Sequence, residues 1–109
     1  MTEKESTILQ AFIEAMRPPE HIRPQLDIGF SYEKQCIELF EIRPNWRDKT
    51  IIQHLPFARI RYLGTQNVWK LYWHRANGKW VSYSPYPESP DLDLLLKEVD
   101  EDGYGCFKG

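Results

Sequence analysis

The stretch Asn67–Tyr83, NVWKLYWHRANGKWVSY, decides the fold, because apolar and polar residues alternate in it on both sides of a single turn. It holds three of the four tryptophans of the chain. The pair Asn77-Gly78 between two alternating runs is a strong hairpin signal, since a type I′ turn requires positive φ at both central residues. The sequence therefore predicts a β-hairpin with a two-residue loop at this pair.

The predicted loop determines which side chains of the hairpin share a face. One face carries Trp69, Leu71, Trp73, Arg75 and Trp80, and the other carries Val68, Lys70, Tyr72, His74, Val81 and Tyr83. We call them the tryptophan face and the open face. The tryptophan face is the expected core, because buried aromatic side chains contribute the most apolar area. At its rim we expect a cation–π pair between Arg75 and Trp80, worth about 0.5–1 kcal/mol when exposed.

The composition is that of a packed globular protein, with 41% hydrophobic and 14% aromatic residues among 109. This length fits a single domain spanning residues 1–109. The net charge of −2 gives no overall attraction to nucleic acid or to an anionic membrane, so such binding requires a local basic patch. No apolar run reaches the roughly 18 residues of a membrane span, and MTEKES lacks a signal-peptide pattern. We expect a reduced, cytoplasmic protein without cofactor or metal, since Cys36 and Cys106 fit no ligand spacing.

Each end of the chain shows the pattern of a helix. Thr2 and Glu5 have the spacing of a capping box, apolar residues follow at helical spacing, and Pro18-Pro19 ends the helix. Near the other end, Ser89 is expected to cap a second helix and Gly103 to terminate it. Both helices are expected to cover the tryptophan face of the sheet.

Three further strands precede the hairpin, and they are predicted at Gln25–Tyr32, Gln35–Arg43 and Phe57–Leu63. The first two are joined by a turn at Glu33-Lys34, and the third enters the hairpin through a turn at Thr65-Gln66 that sets Tyr62 opposite Trp69. Asn45–Pro56 is interpreted as a long ordered loop. The sequence therefore predicts an α+β fold, an antiparallel, meander-like sheet of about five strands with an N-terminal and a C-terminal helix packed on it.

The open face collects the main candidate binding residues. They are basic or aromatic and alternate along the strands: Arg59, Arg61, Lys70, Tyr72 and His74, with Tyr83 beside them. In the predicted register Arg61 lies opposite Lys70, and like charges across a strand pair favour an anion between them. Basic side chains interleaved with aromatic rings on an open sheet contact phosphates and stack bases. Asp27 and Glu38 share this face, so internal neutralisation by these carboxylates is the alternative.

A second group of basic residues lies in the connecting segments: His21, Arg23, Arg43 and Arg47. If these side chains meet at one end of the sheet, they form a secondary site for a phosphate or carboxylate. In the other interpretation, Arg43 and Arg47 only cap the ends of strands. The sequence leaves both interpretations open.

A third hypothesis is a metal-dependent nuclease. Asp27, Glu38 and Glu41 resemble the carboxylates that hold Mg²⁺ in such an active site. Arg43 stands where a lysine would assist the attacking water, and arginine cannot be deprotonated. The predicted pairing also places Asp27 and Glu41 on opposite faces. No motif specific for an enzyme is present, and we name no catalytic residue.

Four segments together resemble a family of short bacterial proteins described as domain of unknown function 3024. They are PPEHIRPQLDIGF (18–30), ELFEIRPNWRD (38–48), VWKLYWHRANGKW (68–80) and VDEDGYGCFKG (99–109). The resemblance extends from Pro18 to Gly109. It implies a small, cytoplasmic, single-domain protein, and it brings no catalytic residue with it.

The residues therefore predict a non-catalytic binding or adaptor domain that recognises an anionic partner through the open face. Nucleic acid is the first partner class to test, and the acidic surface of another protein is the second. A homodimeric structural or interaction protein is a further alternative, because an exposed sheet face with Tyr and Trp has the composition of an interface. No membrane partner is expected.

Overall fold

The computed structural model of the protein describes residues 1–107. Its elements are α1 (Glu3–Met16), β1 (Asp27–Glu33), β2 (Cys36–Pro44), β3 (Ile52–Leu63), β4 (Val68–His74), β5 (Trp80–Ser82), β6 (Glu88–Ser89) and α2 (Leu92–Glu101). The strands form one antiparallel sheet in the order β1-β2-β3-β4-β5, and the short β6 also pairs with β4. The predicted α+β fold is thus confirmed. Neither helix within residues 1–107 is long and apolar enough to cross a membrane.

Both helices cover the tryptophan face of the sheet. Apolar side chains from the two layers form one core, which includes Leu9, Ile13, Ile37, Leu39, Ile60, Trp69, Leu71, Leu95, Leu96 and Val99. The indole Nε1 of Trp69 donates a hydrogen bond of 3.0 Å to Oε2 of Glu5 in α1. The predicted capping box is present, since Thr2 and Glu5 bond each other's backbone N–H groups.

The predicted register between β3 and β4 is confirmed, with Tyr62 opposite Trp69 and the following pairs in step. Between β1 and β2 the turn residues are Lys34 and Gln35, one residue later than the predicted Glu33-Lys34. Both have positive φ, 51° and 62°, which Lys and Gln seldom adopt, so the sequence gives little sign of this turn. Cross-strand partners therefore shift by two positions, an even number, and the faces of both strands are as predicted.

The loop of the β4–β5 hairpin was predicted one residue too short. It holds three residues, Ala76–Gly78, and is closed by a hydrogen bond of 2.9 Å from Arg75 N to Lys79 O. Gly78 has a φ of 84°, whereas Asn77 is not among the residues with positive φ. A three-residue loop that ends in a left-handed glycine replaces the two-residue type I′ turn.

This one-residue difference in register turns all of β5 over. His74 pairs with Trp80, which places Trp80 on the open face, and Tyr83 lies in the core at 1% exposure. Both residues were assigned to the wrong face. The predicted Arg75–Trp80 cation–π pair is also wrong, because Arg75 instead lies over the ring of Trp73, 5.7 Å from its centroid.

The loop between β2 and β3 is shorter than the predicted Asn45–Pro56. Strand β3 begins at Ile52, which pairs with Pro44, and the register shifts further along so that Phe57 is an extra residue on β3. Such a β-bulge interrupts the alternation of faces and accommodates a neighbouring proline, here Pro56. The alternation before Phe57 is therefore out of phase with the alternation after it, and the first part of β3 lacks the sequence pattern of one continuous strand.

Helix α2 begins two residues later than predicted. Its N-cap is Asp91, and Ser89 belongs to β6, where it pairs with Trp69. The Oγ of Ser89 accepts a hydrogen bond of 3.0 Å from Asp91 N. At the other end, the left-handed position is occupied by Asp102, with φ of 45°, and not by Gly103. Pairing with the edge of β4 draws the segment into the sheet and delays the helix.

Neighbouring residues on β4 provide a test of the two faces. Leu71 is fully buried in the core, and Tyr72 is only partly buried on the open face. We expect Leu71→Ala to lower the free energy of unfolding by about 2–5 kcal/mol, because it leaves a cavity. Tyr72→Ala should cost clearly less. Urea unfolding followed by tryptophan fluorescence measures both losses, and equal losses would contradict the assignment of the faces.

Candidate functional site

The open face carries two neighbouring rows of side chains that cross the strands. One row is Ser31, Glu38, Arg59, Tyr72 and Ser82, and the other is Glu33, Cys36, Arg61, Lys70 and Glu88. His74 lies further along β4, opposite Trp80. The structure therefore brings all five predicted binding residues, Arg59, Arg61, Lys70, Tyr72 and His74, onto one face of the sheet.

Carboxylates on the same face neutralise two of the three cations that β3 and β4 place there. The Nε of Arg59 donates a hydrogen bond of 2.8 Å to Oε2 of Glu38. The Nζ of Lys70 lies 3.9 Å from Oε1 of Glu88. Arg61 is exposed and forms no ion pair with any of residues 1–107. Of the two carboxylates expected to neutralise this face, Glu38 does so at Arg59, whereas Asp27 pairs with Arg17 instead. Glu88, which was not predicted, lies beside Lys70, and Arg61 is left available.

Two shallow pockets adjoin Arg61. The first has a volume of about 360 Å³ and is lined by Ser31, Glu33, Lys34, Cys36, Glu38, Arg59 and Arg61. The second has a volume of about 230 Å³ and is lined by Cys36, Arg59, Arg61, Tyr72 and Trp80. Because the two share Cys36, Arg59 and Arg61, they form one groove that runs across the strands. Its outer end is aromatic, and its centre is cationic.

Trp80 is one residue of this face that the sequence did not predict, and Glu88 is another. The guanidinium carbon of Arg59 lies 4.3 Å from the centroid of the Trp80 ring, and the ring of His74 lies 4.7 Å from it. Arg59 is thus held between Trp80 and Glu38 in a fixed position. The sequence is equally compatible with a three-residue loop at Ala76–Gly78 that ends in glycine and with a two-residue loop at Asn77-Gly78. Only the strand register in the structure distinguishes the two loops.

Cys36 forms part of the groove as a neutral thiol. Burial raises the pKa of Cys36 above its ordinary value, although the positive charge of Arg59 opposes this shift. A thiolate is the reactive form of cysteine, and a raised pKa disfavours it near neutral pH. Cys36 therefore contributes a small polarizable wall between the cations and not a nucleophile.

The three carboxylates of the nuclease hypothesis do not converge. Each is engaged by a different arginine: Asp27 by Arg17, Glu38 by Arg59 and Glu41 by Arg43. Glu41 also falls on the tryptophan face, opposite Ile28, whereas Glu38 falls on the open face. Among residues 1–107, no three His, Cys, Asp or Glu side chains are grouped to hold a metal ion. The geometry therefore offers this hypothesis no support.

The arginines of the predicted secondary site each have a partner of their own. Arg23 donates from Nε to the carbonyl oxygen of Pro18 at 3.1 Å, and Arg43 pairs with Glu41. The guanidinium of Arg47 lies 4.7 Å from the centroid of the Trp46 ring. His21 lies with Arg23 in the turn that follows α1, away in sequence from the β2–β3 loop that holds Arg47. A shared anion site for this group stays a prediction.

The end of the β2–β3 hairpin exposes large apolar side chains. Trp46 is 79% exposed, and the neighbouring residues are exposed to 51% at Ile51, 54% at Ile52 and 41% at Leu55. In the core, by contrast, Trp69 is 1% exposed. This group is separate from the groove, and the sequence interpretation of 45–56 as a loop did not identify it.

Comparison with known protein families places the chain in one of them. The chain matches, over residues 1–109, the family described as Domain of unknown function (DUF3024). This confirms the resemblance predicted from Pro18 to Gly109 and extends it to the whole chain. No curated protein and no solved structure matches the chain.

Asp27 makes the stability of the fold depend on pH. Arg17 donates to its two carboxylate oxygens at 2.9 and 2.8 Å and holds the pKa of Asp27 below its ordinary value. Because the folded pKa is lower than the unfolded one, the pair stabilises the fold above about pH 4, and this contribution is lost as the pH falls. We expect Asp27→Asn to flatten the decrease of Tm between about pH 5 and pH 2.

Circular dichroism melting across this pH range is the measurement. Arg17→Gln removes the other partner of the same pair and should flatten the curve in the same way. A variant Asp27→Asn that keeps the full pH dependence of the wild type would show that other carboxylates are responsible.

Proposed function

The chain belongs to the DUF3024 family, and we propose that it is a non-catalytic domain that binds nucleic acid through the open face of its sheet. The observation that carries the proposal is Arg61, an exposed cation in the centre of a groove that no carboxylate of residues 1–107 neutralises. A guanidinium matches the oxygens of a phosphate group with two parallel hydrogen bonds. The two free cysteines and the family resemblance favour action in a bacterial cytoplasm.

The distribution of charge along the chain supports this partner better than the net charge does. Residues 90–102, which include α2, contain six Asp or Glu and one Lys. Residues 1–88 contain twelve Lys or Arg and ten Asp or Glu, an excess of two positive charges. Helix α2 packs on the tryptophan face, so its negative charges lie on the far side of the sheet from the groove. Local fields of this kind steer a charged partner to one side of a protein.

Arg61→Ala tests the proposal. We expect weaker binding of oligonucleotides and a decrease of about 1 in the slope of log K against log salt, because one phosphate contact is lost. The measurement is fluorescence anisotropy with labelled oligonucleotides between about 50 and 200 mM salt. Lys4→Ala is the matched control, since it removes one exposed positive charge from α1, on the other side of the sheet.

Equal losses in Arg61→Ala and Lys4→Ala would contradict a contact at Arg61. If the wild type binds no oligonucleotide even at about 50 mM salt, the proposal fails. In that outcome, the acidic surface of another protein becomes the partner class to examine.

The exposed apolar end of the β2–β3 hairpin favours a second proposal, self-association. Monomeric proteins seldom expose adjoining large apolar side chains, and aromatic residues such as Trp46 are enriched in interfaces. A dimer predicts a mass that rises with protein concentration, measured by sedimentation or light scattering. Ile52→Asp should keep the monomer mass, and it should fold because Ile52 is largely exposed. A constant monomer mass of the wild type would contradict this proposal.

A further inference from the structure

The groove on the open face crosses the strands, and we infer that it takes single-stranded and not double-stranded nucleic acid. The inference rests on the proposed function and names the form of its partner. The groove joins the pocket beside the β1–β2 turn to the pocket beside Trp80 on β5, so it spans the sheet. Five strands at a spacing of about 4.8 Å cover about 19 Å, enough for a few extended nucleotides.

The aromatic end of the groove offers surfaces for exposed bases. The ring of Trp80 carries the guanidinium of Arg59, and Tyr72 lines the same pocket. Unpaired bases stack on aromatic rings and on arginine planes, whereas bases in a duplex have their faces covered by their neighbours. Because Trp80 and Glu38 already hold the guanidinium of Arg59, little side-chain freedom is lost when a base stacks on that guanidinium.

The cationic centre of the groove complements this arrangement. Arg61 lies opposite Lys70 on β4, and their like charges repel each other unless an anion is near. A backbone phosphate between them would relieve this repulsion. Lys70 has only a loose internal partner, Glu88, whose oxygen lies 3.9 Å away. Glu88 is therefore a competitor of the phosphate, and its removal should strengthen binding.

The test compares a labelled oligothymidylate with a duplex of the same length at about 50 mM salt. We expect the wild type to prefer the single strand. Trp80→Leu should lose about 5- to 100-fold of the single-strand affinity and little of any duplex affinity. Glu88→Gln should bind the single strand more tightly, a gain that a misfolded variant cannot produce.

Glu101→Gln is the control for Glu88→Gln. It removes the same charge from another exposed ion pair, that with Lys97 on α2, and should change the affinity less. A duplex bound as tightly as the single strand, with binding still weakened by Arg61→Ala, would overturn the inference and leave the proposed function intact. A single-strand preference that is insensitive to Trp80→Leu and to Glu88→Gln would also overturn it. Binding of neither probe would overturn both.

Discussion

The hydrogen bond between the indole of Trp69 and the carboxylate of Glu5 joins the two layers of the fold. It connects the most buried tryptophan of the sheet to the first turn of α1, and the same carboxylate completes the capping box with Thr2. Burial acts to raise the pKa of Glu5, but the hydrogen bonds from Thr2 and Trp69 outweigh it, so the pKa lies below its ordinary value. A charged acceptor at this position fixes where the helix begins and which face of the sheet it covers.

Because both helices pack on that face, neither of them covers the other face of the sheet. Its side chains are long and polar and neutralise one another where they can, as Arg59 does with Glu38. Among residues 1–107, this leaves Arg61 without an ion-pair partner, close to the Trp80 ring that Arg59 contacts. This combination of an exposed cation and an aromatic ring depends on several strands together, because each strand supplies only one or two of the side chains involved.

The sequence predicted the strand register correctly where the patterns of two strands agree. It did not predict the register where the length of a loop alone determines it. Alternation and the expected burial of Trp69 predicted the β3–β4 register correctly. The turn between β1 and β2 was misplaced, but the partners shifted by two positions, so the faces of both strands were still predicted correctly. Between β4 and β5 the register differed by one position, so every residue of β5 was predicted on the wrong face, and Trp80 lies on the open face. The groove residues on β3 and β4 were therefore predicted, whereas its aromatic end was not. Pairing of the segment before α2 with β4 is non-local and has no signal in the sequence around Ser89.

The bulge at Phe57 sets how the chain can change in length. The extra residue separates two stretches of β3 in which inward-facing and outward-facing residues alternate in opposite phase. A change before the bulge therefore does not alter which residues face inward after it. A change in the length of the Asn45–Ile51 loop alters only the end of the β2–β3 hairpin, where no groove residue lies. One added residue between Ala58 and Trp73 would exchange the inner and outer faces of everything that follows. Relatives of this chain should therefore differ in length at the β2–β3 loop and be invariant in length across the strands that carry the groove.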